Sequence, residues 1–213
     1  MLSIHLELLD IEQKKTWQRL LGFSNGILGG GTALSMQLAH RRSYDFDIFV
    51  YRKIYTSDKN LLFKLIPPQR INLDTQYQLD YSTKSGVKIT LWHNLQKHIF
   101  PPLKTDGLPI LDYRDIAADK AHVINRRATW RDYADLFYLL KYKITLKQLI
   151  SYAQKKYNGF FNAKLLMEEL TYFKDINLVP IDWVEKKYTD KEIKEFLVQT
   201  VKDFRDNEII PKK

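Results

Sequence analysis

The chain is predicted to be α+β: a small mixed sheet with flanking helices over residues 1–108, then a C-terminal helical bundle over 109–213 packed on it. Three observations lead there. Short apolar runs between residues 27 and 92 are broken by Gly, Pro and Ser-Gly signals, as a modest sheet requires. From Asp112 onward apolar residues recur at helical spacing, each run preceded by a capping signal. Between them in importance lies one stretch, Gly29-Gly30-Gly31 to Phe49, which combines a glycine bend, a short amphipathic run and a strand bearing two aspartates.

The elements follow in order. Leu6, Leu9, Trp17, Leu20 and Leu21 among Glu, Gln and Lys predict a helix from about His5 to Gly22. Leu28 and the apolar run before it predict a strand ending at Gly29-Gly30, then a helix from about Thr32, then the strand Asp45 to Val50. A helix from Ser57 is stopped by Pro67-Pro68. Strands follow at Arg70–Leu73, Gln76–Ser82 and Val87–Trp92, with Ser85-Gly86 as the hairpin turn. Asp112-x-x-Asp115 resembles a capping box opening a helix to Arg127. Further helices are predicted from Thr129, from Thr145-x-x-Gln148 to Tyr157, over Ala163–Tyr172, and from Thr189-x-x-Glu192. Their apolar stripes read as helix–helix core.

Composition narrows the class of function. With 213 residues, 45% hydrophobic, the chain can bury a core of its own, and there is no cysteine for a disulfide or a thiolate zinc site. The five histidines lack metal-ligand spacing, so zinc chemistry has no support. The start, Met1-Leu2-Ser3-Ile4-His5, is not that of a signal peptide, and no apolar run reaches transmembrane length; a cytoplasmic protein without membrane contact is expected. A net charge of +9 favours polyanionic partners such as nucleotides and nucleic acid.

The aspartates carry the chemistry. Alternate residues of a strand share a face, so Asp45 and Asp47 project together, about 6–7 Å apart along the chain, opposite Phe46, Ile48 and Val50. Two carboxylates aimed at one spot repel unless a cation lies between them or one keeps its proton. Mg²⁺ suits such a pair, because it takes a few carboxylates and completes its shell with phosphate oxygens. The glycines let the backbone approach a ligand closely, and the helix after them offers unpaired N–H groups to phosphate.

The stretch Gly30-Gly31-Thr32-Ala33-Leu34, His40-Arg41-x-Ser43 and Asp45-x-Asp47 resembles the signature of the AbiEii/AbiGii-type toxin nucleotidyltransferases of the DNA polymerase β-like superfamily. A second block strengthens the resemblance: Lys120, Arg127 and the Arg131-Asp132-x-x-Asp135-Leu136 group. The likeness extends to Leu170–Phe173 and to Asp182-Trp183 with Lys191–Leu197, and so covers nearly the whole length. It implies a minimal nucleotidyltransferase core, an NTP substrate and Mg²⁺ or Mn²⁺ held by Asp45 and Asp47. It also implies an RNA acceptor, tRNA especially, and a cognate antitoxin of a toxin–antitoxin or abortive-infection system.

Gly30, Gly31 and Thr32 are the expected phosphate cradle. Arg41 and Ser43 either bind phosphate or fix the loop. Lys120 and Arg127, seven residues apart, share a helix face and either meet one phosphate chain or, for Lys120, snorkel from an apolar face. Asp132 is either the acidic partner of a cap at Thr129, a brace for an arginine, or a metal- or hydroxyl-positioning acid; Asp135 braces Arg131 or a neighbouring helix.

One departure stands out. Relatives place a third acid after a Gly-Val-Lys-apolar group, whereas here Gly86-Val87-Lys88-Ile89 is followed by Thr90. A one-metal site, a substitute such as Asp80 or Asp132, or a lapsed enzyme that only binds nucleotide or RNA are the readings this leaves.

Overall fold

The computed structural model describes residues 4–209, apart from the side chains at 127, 208 and 209, so the Met1–Ser3 start lies outside the described residues. The chain forms two compact units, Met1–Ile116 and Ala117–Lys213, divided inside a helix rather than at the 108/109 junction expected from the sequence.

In the first unit, the single helix expected over His5–Gly22 is instead a 3-10 turn at Leu6–Leu8 and a helix α1 at Ile11–Leu20. The break is made by Asp10. Its carboxylate accepts from the Gln13 N–H at 2.8 Å while the Gln13 side chain accepts from the Asp10 N–H at 3.1 Å, a reciprocal cap that starts a new helix. Next come β1 (Ile27–Gly29), α2 (Gly30–Leu38), β2 (Phe46–Val50), α3 (Thr56–Leu65), β3 (Arg70–Asp74), β4 (Gln78–Ser82) and β5 (Lys88–His93).

The sheet runs β1-β2-β5-β4-β3, with β2 and β5 parallel and the other pairs antiparallel. Its mixed character matches the expectation. One face is apolar: Phe46 and Ile48, Ile89 and Leu91, and Leu79 and Tyr81 are all buried, and Trp17 of α1 stacks on Phe46. Strand alternation therefore sends Asp47, Thr90 and Asp80 to the other face. β3 closes one edge, exposed along its whole length and bulged between Ile71 and Leu73. At the other edge, Leu28 donates to Pro109 O and accepts from Leu111 N–H, both at 2.8 Å.

The Asp112-x-x-Asp115 pair is not a capping box. Asp112 takes the Arg114 N–H and guanidinium, while fully buried Asp115 accepts from the N–H groups of Ile99 and Phe100 at 2.8–3.2 Å. Two loop amides needed an acceptor, and this demand outweighs the local one.

Helix α4 (Tyr113–Arg127) carries the boundary. In the second unit follow α5 (Trp130–Tyr142), α6 (Leu146–Tyr157), α7 (Ala163–Glu169) and α8 (Asp190–Ile209). The caps expected at Thr145/Gln148 and Thr189/Glu192 are formed. α7 is shorter than expected, ending at Glu169 rather than Tyr172. Trp130, Tyr133, Leu136, Leu149, Leu166, Ile193 and Leu197 form the core of this unit. Among the described residues no helix is long and apolar enough to cross a membrane.

Candidate active site

The glycine bend and the acid strand meet. β1 ends at Gly29, whose Cα pairs with that of Asp47, and the helix begins at Gly30, two residues earlier than predicted. Gly30 has φ +66°, and a Cβ built on it would lie 2.1 Å from Asp47 Oδ2. Glycine is required here twice over, for the left-handed backbone and for the space the carboxylate occupies. Gly29 offers no side chain to cap α2, whose first-turn N–H groups have no intrahelical acceptor. These donors, with the positive end of the helix dipole, lie next to Asp47 in a form suited to phosphate.

Burial alternates over 45–50: Phe46, Ile48 and Val50 are buried, while Asp45, Asp47 and Phe49 are half-buried. Among the described residues the Asp45 carboxylate makes no hydrogen bond or ion pair. No group of three or more His, Cys, Asp or Glu side chains able to hold a metal occurs among the described residues. Asp45 and Asp47 are the two carboxylates that a divalent ion at this bend would take, its remaining positions left to other oxygens.

The remaining predicted residues of this unit brace the loop between α2 and β2. Thr32 is fully buried and its hydroxyl donates to Asp45 O, so its side chain ties the start of α2 to the acid strand. Arg41 is buried: it donates to Arg42 O at 2.9 Å, and a Cβ on Gly31 would lie 2.9 Å from its Nη2 and from Ser43 Oγ. Gln13 Nε2 donates to Ser43 O at 2.7 Å and the Ser35 hydroxyl to Arg41 O. Neither Gln13 nor Ser35 was singled out from the sequence; the Asp10-x-x-Gln13 cap was the only available signal for either. A groove of about 360 Å³ lined by Asp10, Gln13, Tyr44 and Val87 includes neither Gly29, Gly30 and Gly31 nor Asp45 and Asp47.

Thr90 pairs with Asp47 on one side and with Asp80 on the other, so the three form one row across the sheet.

In the second unit Lys120 does not snorkel to solvent. Its Nζ lies 2.6 Å from Asp132 Oδ1 and 2.8 Å from Asp135 Oδ2, with Asp135 fully buried. Asp132 Oδ2 also accepts from the Thr129 N–H at 3.0 Å and the Thr129 hydroxyl at 2.7 Å. Asp132 therefore fills the capping role and grips Lys120 as well. Burial pushes its carboxyl up, but the Lys120 charge and the hydrogen bonds from Lys120 and Thr129 outweigh that and hold it below the ordinary range. The Arg127 side chain lies outside the described residues. A further buried pair, Lys156 with Asp119 at 2.6 Å and the Tyr157 hydroxyl on the same carboxylate at 2.7 Å, gave no pattern in the sequence.

The fold has relatives among solved structures. MenT4, nucleotidyltransferase toxin Rv2826c from Mycobacterium tuberculosis H37Rv, superposes with a TM-score of 0.58 over 90% of this chain and 82% of its own, at 14% identity. An H. pylori protein described as a nucleotidyltransferase gives 0.58 over 96% of this chain and 100% of its own, at 16% identity. In sequence, aq_aa25 of Aquifex aeolicus (strain VF5) is 28% identical over 93% of this chain and 98% of its own. Residues 21–210 match the family described as Nucleotidyl transferase AbiEii toxin, Type IV TA system, and the chain belongs to that family.

Proposed function

We propose that the chain moves a nucleoside monophosphate from an NTP to a hydroxyl on RNA, a tRNA 3′ end first among candidates, as the toxin of a toxin–antitoxin pair. The observation that carries this reading is the contact of the Gly30 backbone with the Asp47 carboxylate. A phosphate-binding helix start and a cation-holding acid are thereby brought within one ligand's length. Asp45 and Asp47 hold a divalent ion, Mg²⁺ or Mn²⁺. When bound, that ion neutralises triphosphate charge and polarises the phosphoryl oxygens. The N–H groups of Gly30 and Gly31, with Thr32 fixing the turn behind them, receive the outer phosphates and hold them for in-line displacement. Arg41 and Ser43 hold the bend in shape. Lys120 and Arg127 are the phosphate-directed cations that the family resemblance implies, and the Lys120 ammonium is held by Asp132 and Asp135.

A second reading, nucleotide or RNA binding without transfer, is favoured by Thr90 at the position of the missing acid. NTPs labelled on the α-phosphate, incubated with total RNA and Mg²⁺, separate the two. The transfer reading expects label in RNA with the wild type and none with Asp47→Ala or with EDTA. NTP binding without label in any acceptor supports the binding module instead, and no NTP binding at all removes both.

A further inference from the structure

We infer that Thr90 and Asp80 form a two-step proton relay for the attacking hydroxyl, replacing the single acid that this chain lacks. The inference rests on the transfer reading above and adds the proton acceptor that reading leaves unassigned.

An alcohol attacking phosphorus must lose its proton, and Asp45 and Asp47 as metal ligands are poor acceptors for it. The sheet register supplies the next group. Asp47, Thr90 and Asp80 are direct cross-strand neighbours on β2, β5 and β4, on the face away from the core. The flanking residues settle that face, since Leu79 and Tyr81 on either side of Asp80 are 0% and 1% exposed. Directly opposed side chains on an antiparallel pair have Cβ atoms about 4.5–5.5 Å apart, so the Thr90 hydroxyl is within one rotamer of the Asp80 carboxylate. Adjacent strands are about 4.8 Å apart, which places Thr90, not Asp80, beside the Asp47 end of the row.

The hydrogen bonding of Asp80 is one-sided. Oδ2 accepts from Gln78 Nε2 at 2.6 Å, which fixes the carboxylate. Oδ1 is buried and accepts no hydrogen bond among the described residues. Buried polar atoms are nearly always paired, and leaving an acceptor bare costs about 1–3 kcal/mol. The register sets Thr90, with its hydroxyl, directly opposite Asp80. Turned toward Oδ1, it keeps its lone pairs for the acceptor hydroxyl over Asp47.

The step balances. The acceptor O–H gives its proton to Thr90 Oγ1 as the proton already on Oγ1 passes to Asp80 Oδ1. The acceptor oxygen forms its bond to the α-phosphorus, and the bond to the bridging oxygen breaks. Pyrophosphate leaves with the electron pair. Asp80 acts through Thr90 and never touches the substrate.

The test compares wild type, Asp80→Asn, Thr90→Val, Thr90→Ser and the double variant Thr90→Asp/Asp80→Asn, reading kcat and KM for label transfer and the Kd of a non-hydrolysable NTP analogue. Asp80→Asn and Thr90→Val should each lower kcat about a hundredfold or more, the scale of a lost general base, with KM and Kd unchanged. Thr90→Ser should stay near wild type. Thr90→Asp should restore transfer in the Asp80→Asn background by placing a carboxylate at the head of the row. An active wild type with Asp80→Asn or Thr90→Val equally active overturns the relay and leaves the transfer reading standing. Loss of analogue binding in Asp80→Asn, or no rescue by Thr90→Asp, also overturns it, in favour of a structural role. A wild type that labels no acceptor overturns both.

Discussion

Gly30 and Asp47 occupy each other's space: the carboxylate fills the position a side chain on residue 30 would take, 2.1 Å from the ideal Cβ. Backbone and acid are thus matched atom to atom across the β1–β2 pair, and disturbing either disturbs the proposed phosphate and metal positions together.

Gly30→Ala should therefore abolish NTP binding and cost stability beyond the strain of its backbone. Gly86→Ala is the control, since Gly86 also has positive φ, +86°, but nothing lies within 4 Å of its added Cβ. Strain alone costs about 1–2 kcal/mol. Urea unfolding should show roughly that loss for Gly86→Ala with NTP binding intact, and a larger one for Gly30→Ala. Equal losses, or intact nucleotide binding in Gly30→Ala, would contradict the contact.

Removing Lys120 takes from Asp132 and Asp135 the ammonium that lies between them. Lys120→Met is expected to destabilise by about 3–5 kcal/mol at neutral pH. The sign of its pH dependence follows. With the lysine gone, burial is the largest influence left on Asp132 and raises its carboxyl, so its contribution is complete at low pH and lost as pH rises through the folded value. Urea midpoints of the variant should improve on acidification. Midpoints that fall with acid would refute this.

The wild type should behave in the opposite way. Asp132 is depressed, so its contribution is complete above the unfolded carboxylate value of about 3.9 and disappears as pH falls through the folded one. His122 is lowered too, by burial first and by Arg126 second. It stays neutral while the unfolded imidazole takes a proton, so stability begins to drop below about pH 6.5. His122→Phe, which keeps a ring against Tyr157, should flatten the curve between about pH 6.5 and 5. An unchanged curve would place the loss elsewhere.

Asp58 is 1% exposed and receives Arg52 at 2.6 and 2.8 Å, the Tyr55 N–H at 2.9 Å and Asn25 at 3.1 Å. The Arg52 hydrogen bonds lead in holding its carboxyl low, against burial. Asp58→Ala removes a helix cap and strands these donors, with an expected loss of about 2–4 kcal/mol. Thermal unfolding measures it, and a loss under about 1 kcal/mol would show the cluster to be solvated rather than structural.

The residues most readable in sequence were those whose partners are close along the chain. Strand alternation around Asp47 depends on neighbouring residues, and so do the Thr145 and Thr189 caps. The long first helix failed because Asp10-x-x-Gln13 looked like two more polar positions on an amphipathic face until the cap geometry appeared. Asp112-x-x-Asp115 failed for the reverse reason, since a local signal was overridden by the amides of Ile99 and Phe100 some fifteen residues away. The start of the helix at Thr32 suited phosphate by its backbone, and Arg41 suited either phosphate or the loop; only packing shows both side chains buried as braces.

Sequence alone determined the class of the chain: the glycine bend, the paired acids, the sheet-then-helices order and the family all follow from residue type and spacing. Tertiary structure decided what each group faces. Register put Asp80 beside Thr90, close packing set Asp47 against Gly30, and helix pairing closed two carboxylates on Lys120. Spacing fixes direction only within one element, whereas the approach of two elements depends on which surfaces exclude water together, a property of the whole fold.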